Sequence, residues 1–207
     1  MKRIRILALL VALGFALTTT PAQAAGDVTH FSFNGRLAIA GFENVDTSGC
    51  IVTRVGVIAV DGSIKADGQP PVASETSVTI DVSDVCTGDT LVAASGSRTL
   101  ANGDFVMRSL DSATLNGSME VSDKTSGTTF PVQLAVTWTG IGDVTRTKDQ
   151  FQIIESGFVL NSHSDSSSRD ATAIGTISAG PTNFTPDSAV SASLADVRSG
   201  EVTVLHP

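Results

Sequence analysis

Ser162-His163-Ser164-Asp165, with Arg169 close behind, is the run of side chains best equipped for chemistry in this sequence. A hydroxyl, an imidazole and a carboxylate are the ingredients of a nucleophilic hydrolase. That chemistry needs the imidazole bonded to the hydroxyl through one nitrogen and to the carboxylate through the other. Neighbours on an extended chain point to opposite faces, so such a triad would have to be assembled from distant positions. No G-x-S-x-G elbow presents a strained serine. The same letters are those of a solvated serine-rich turn, and residues 161–170 are read as an exposed loop without a catalytic constellation. If a ligand is held there, His163, Asp165 and Arg169 are the expected polar contacts, because a guanidinium can fork onto a carboxylate or phosphate.

Metal chemistry has weaker support. His30, His163 and His206 are the only histidines, and no two lie at a chelating spacing. Asp81, Asp84 and Asp89 surround Cys86, and calcium favours several oxygen ligands. No D-x-D-x-D-G loop organises them, and turn acids in water explain them with nothing added. No metal and no cofactor are expected. Sugar stacking on Trp138 is also disfavoured. Trp138 continues the apolar parity of Val132, Leu134 and Val136, which makes it a core residue, and the chain has no tyrosine to build a second platform.

Cys50 and Cys86 are the only cysteines. They lack C-x-x-C spacing and have no histidine nearby, so a structural disulfide is expected. That bond requires an oxidising compartment, and the first 24 residues supply the address. Lys2, Arg3 and Arg5 precede an apolar run from Ile6 to Leu17, and Ala22-Gln23-Ala24 ends in the small residues that signal peptidase accepts. Residues 1–24 are read as a signal peptide and 25–207 as a single domain, secreted or periplasmic. An apolar run of this length falls short of the roughly 20 residues that a bilayer-spanning helix needs.

The elements that must position these residues are strands. Val78, Ile80 and Val82 alternate with polar neighbours, as do Leu115, Met119 and Val121, and Val132, Leu134, Val136 and Trp138. Period-2 alternation puts one face in a core and the other in water. The last two runs flank the polar turn 123–127 and predict an antiparallel hairpin. Further strands are expected at 31–39, 51–60, 90–94, 104–110, 151–160, 171–179, 190–197 and 201–205. Asp61-Gly62 and Ser199-Gly200 are read as turns, and 61–76 as a surface excursion. The fold class is all-β: an antiparallel β-sandwich of about ten short strands, with a closed soluble barrel as the alternative. An outer-membrane barrel is disfavoured, because the chain has one tryptophan and no tyrosine for aromatic girdles.

Charge excludes some partners. Of the 21 acids, Asp dominates, and the formal net charge of −8 becomes more negative once the basic leader is removed. Such a chain is repelled by phosphate backbones and anionic lipid, so neither nucleic acid nor stable membrane insertion is expected. The partner itself is not legible. The reading is an exported, non-catalytic binding or surface-associated module. The alternatives are a secreted hydrolase with its site at one loop end and a calcium-stabilised structural or adhesion module.

Overall fold

The computed structural model describes residues 28–66, 74–155, 158–179, 182–184 and 189–205, and every helix or strand among them is a strand. Strand β1 (Val28–Val45) pairs with β2 (Ile51–Ala66), β2 with β3 (Glu75–Asp84), and β3 with β4 (Asp89–Thr99). The short β5 (Phe105–Arg108) lies along β6 (Ser112–Asp123), which forms a hairpin with β7 (Thr129–Gly140). The chain continues through β8 (Thr145–Glu155), β9 (Phe158–Ala179), β10 (Thr182–Phe184) and β11 (Ser191–Leu205). Every ladder is antiparallel, as the alternation predicted. The ladders run β9–β11–β1–β2–β3–β4–β6–β7 and return to β9, so the pairing closes a circuit. Its thinnest seam joins β4 to β6 through only Ala94↔Asp123 and Ser95↔Ser122. The proposed leader and its cleavage point before Ala25 lie outside the described residues.

The core fills the inside of that circuit. Val132, Leu134, Val136 and Trp138 are buried, as are Leu115, Met119 and Val121 on the partner strand. The register places Leu115 opposite Val136 and Met119 opposite Val132. Trp138 is fully buried, and its indole Nε1–H donates to the Ile39 carbonyl at 2.9 Å. β7 and β1 are not ladder neighbours, so this bond crosses the interior. It also satisfies the single polar atom of the ring, as burial of a tryptophan requires.

Four sequence expectations need correction. Residues 161–170 are not a loop but the first half of β9, paired to β8 on one side and β11 on the other. Serine and aspartate look like turn formers in isolation, yet strand preference depends on neighbours, and two flanking strands satisfy this backbone. The segment 151–160 is not one strand. It contains the closing pairs of the β8–β9 hairpin, ending at Glu155↔Phe158. Asp61-Gly62 is no turn either, since β2 runs straight through to Ala66. Gly62 faces Gly35, and a Cβ on Gly62 would stand 2.6 Å from the Asn34 carbonyl oxygen. Glycine there reflects close strand approach rather than a reversal. Ser199-Gly200 likewise lies within β11, beside a register shift, where the Ser199 hydroxyl bonds both the Phe33 N–H (2.9 Å) and the Phe33 carbonyl (3.1 Å).

These longer strands have an architectural consequence. β9 pairs with β7 over Ala171–Ala179 and with β8 over Phe158–Ser168, along the same edge. β8 thus continues the line of β7 beyond the circuit. β8, β9, β11, β1 and β2 together extend past the core as a sheet whose polar face meets β5 at Arg36.

Candidate functional site

The extension carries charged side chains in register. One cross-strand row reads Arg146, Ser167, Asp196, Arg36, Asp61; the next reads Lys148, Asp165, Arg198, Asn34, Ser63. Residues directly opposite in a ladder share a face. The row above is Arg169, Leu194, Ala38, Ala59, Thr76, and its last four members are buried. The face that forms the core inside the circuit therefore becomes the charged face of the extension, without any change of parity.

Two adjoining clefts occupy this face. One, of about 260 Å³, is lined by Arg146, Lys148, Asp165, Ser167, Asp196 and Arg198. The other, of about 370 Å³, is lined by Asn34, Gly35, Arg36, Asp61, Gly62, Ser63, Asp196 and Arg198. They share Asp196 and Arg198, so they form one groove running across the strands. Every lining residue is polar, charged or glycine. Four cations line it in a chain whose overall charge is strongly acidic.

The charges differ in how far they are committed. Arg36 is anchored: its Nη1 donates to the Met107 carbonyl on β5 at 2.9 Å, and its Nη2 is paired with Asp61. Ser74 donates to the other oxygen of Asp61 at 2.9 Å. This group closes the core at its polar end. Lys148 pairs loosely with Asp165 at 3.4 Å and is 75 % exposed. Arg146, Arg198 and Asp196 have no ion-pair partner within 4.0 Å among the described residues. The groove thus has a structural floor at β1–β2 and unengaged cations toward β8 and β11.

The residues singled out from the sequence divide between these roles. His163, Asp165 and Arg169 all lie on one face of β9, because their spacing is even. Asp165 lines the groove. His163 is exposed on β9 opposite Gln150. Arg169 is tied down: its Nη1 donates to Asp111 at 2.6 Å and its Nε to the Gly142 carbonyl at 2.9 Å. It pins the connection between β7 and β8 to the turn between β5 and β6. Ser162 and Ser164 point to the opposite face from His163 and Asp165, and adjacent same-face positions on a strand are about 6.7 Å apart. Cys50 and Cys86 are bonded, with S–S 2.04 Å and Cα atoms 5.2 Å apart, and they fasten the β1–β2 turn to the β3–β4 turn. Asp84, which lies beside them, is spent on that turn, accepting from the N–H groups of Cys86 (2.9 Å) and Thr87 (3.1 Å). Asp89 accepts from the Thr87 hydroxyl at 2.9 Å.

Sequence reasoning missed Arg36, Asp61, Arg146, Lys148, Asp196 and Arg198. A signal was present: Asn34/Arg36, Asp61/Ser63, Arg146/Lys148 and Asp196/Arg198 are each polar pairs at i, i+2. On strands, that spacing places both members on one face. Comparison of the chain with family models, with curated proteins and with solved structures finds no match.

Proposed function

We propose that this protein is an exported, non-catalytic binding module that holds a polar ligand in the groove crossing β8, β9, β11, β1 and β2. The observation that carries this reading is the concentration of cations in a cleft of an acidic chain: Arg146 and Arg198, which have no ion-pair partner among the described residues, and the loosely paired Lys148. A stability role does not require them, since exposed ion pairs contribute little. The disulfide and the leader sequence support export to an oxidising compartment. No helix among the described residues is long and apolar enough to cross a membrane.

The test is amide-resonance mapping of the mature protein against a panel of small soluble anions and sugars. Perturbations concentrated at 146–148, 165–167 and 196–198 are expected. Perturbations confined to other surfaces overturn the assignment, as does a hydrolytic activity that His163→Ala abolishes.

A further inference from the structure

The groove has a length, a direction and a chemical lining that together narrow its ligand. It crosses the sheet from β8 to β2, and four inter-strand spacings of about 4.8 Å make that path about 19 Å. This is the footprint of an extended chain of several units rather than of one small molecule. Cations stand along the path at β8 (Arg146, Lys148), β11 (Arg198) and β1 (Arg36). Between them lie Asp165, Asp196, Asn34, Ser63 and Ser167, groups that accept or exchange hydrogen bonds with hydroxyls.

We infer that the groove binds a linear acidic polysaccharide, a chain whose sugar units carry both carboxylates and free hydroxyls. The inference rests on the reading of the groove as a binding site and names the ligand class. Carboxylates of the ligand meet Arg198, Arg146 and Lys148, for which charge-assisted bonds are the strong kind. Ligand hydroxyls donate to Asp165 and Asp196. An acidic peptide matches only half of this pattern, because it brings carboxylates to the cations but no regular series of hydroxyls to Asp165 and Asp196. The lining also lacks the apolar pockets that peptide side chains use for specificity. A neutral glycan leaves the cations without partners. Alternating charge within one groove is what a ligand bearing both acid and hydroxyl groups satisfies.

The experiment is calorimetric titration of the mature protein with a galacturonate oligomer, paired with amide mapping. The oligomer is expected to bind, to move the resonances of 146–148, 165–167 and 196–198, and to weaken as salt rises. Arg198→Ala and Lys148→Ala are each expected to raise Kd about tenfold, the effect of losing one hydrogen bond to a charged group. Arg54→Ala, which removes an exposed pair with Glu43 outside the groove, is expected to leave Kd unchanged. Both groove side chains are exposed, so the variants are expected to fold with the wild-type thermal midpoint.

Two controls separate this inference from the reading beneath it. The methyl-esterified oligomer keeps the chain and its hydroxyls but masks the carboxylates, and it is expected to bind far more weakly. Equal binding of the ester, or tighter binding of poly-glutamate at the same resonances, overturns the acidic-polysaccharide inference and leaves the groove as a binding site. If none of the three probes moves groove resonances, the inference fails and the binding reading loses its support with it.

Discussion

The Asp123 carboxylate accepts the Ala93 backbone N–H at 3.0 Å, and that bond spans the seam where the circuit of ladders is narrowest. The same carboxylate accepts from the hydroxyls of Thr125 (2.7 Å) and Ser126 (2.6 Å) and from both of their N–H groups. The Lys124 N–H donates back to the Ala93 carbonyl at 2.9 Å. The turn after β6 is thus a clasp on β4, made where two ladder pairs would otherwise have to hold the closure alone. Nearby, Gly96 leaves room for the backbone of Glu120, which a Cβ would strike.

This clasp sets a pH dependence. The hydroxyls of Ser126 and Thr125, followed by backbone N–H groups, hold the Asp123 carboxyl far below the usual carboxylate range. A group whose folded pKa is depressed contributes stability that is present above its unfolded pKa, near 3.9, and lost as pH falls further toward the folded value. The thermal midpoint is therefore expected to drop steadily below about pH 4. Asp123→Asn is expected to lower the midpoint at neutral pH and to flatten that acid slope, because an amide nitrogen cannot accept from Ser126. Thermal denaturation of both proteins across pH 2–7 checks it; an unchanged slope in the variant would place the acid sensitivity elsewhere.

Loss of the disulfide is expected to cost about 3–4 kcal/mol, the chain-entropy value for a loop of this size. The bond joins turns whose strands, β2 and β3, are already ladder neighbours. Its removal is accordingly expected to destabilise without changing the fold. Denaturant unfolding of Cys50→Ser/Cys86→Ser, with far-ultraviolet circular dichroism of the native state, measures both. Thiol labelling of the unreduced wild-type protein is expected to find no reactive cysteine.

Trp138→Ala is expected to destabilise by about 3–5 kcal/mol through a cavity and lost transfer energy. Trp138→Phe keeps most of the volume but leaves the Ile39 carbonyl without its donor. That variant is expected to fall between wild type and alanine in equilibrium unfolding. A phenylalanine variant as stable as wild type would show the bond across the interior to be dispensable.

Arg169 and His163 are expected to separate cleanly although both lie on one face of β9. Arg169→Ala removes two bonds that hold the connection between β7 and β8, and is expected to cost about 1–2 kcal/mol. His163→Ala, at an exposed position, is expected to stay within about 0.5 kcal/mol of wild type. Denaturant midpoints of the two variants decide the comparison.

The all-β character, the β6–β7 hairpin, the burial of Trp138 and the Cys50–Cys86 bond were all legible in the chain. Each rests on a local rule: alternation of period 2 across Val132–Trp138, a glycine-bearing turn between two such runs, and a lone cysteine pair. Residues 161–170 show where local rules stop. Both faces of β9 are polar there, so no apolar alternation marks the strand, and its identity comes from β8 and β11 on either side. The groove was hidden for the same reason. Its charges come from β8, β9, β11, β1 and β2, far apart in sequence, and only the register of the ladders aligns Arg146, Asp196, Arg36 and Asp61 in one row. Each strand determined that its own polar pair would share a face. Which pairs would meet, and that the core face would run on into a charged one, was decided by long-range pairing, whose partners a single sequence does not name.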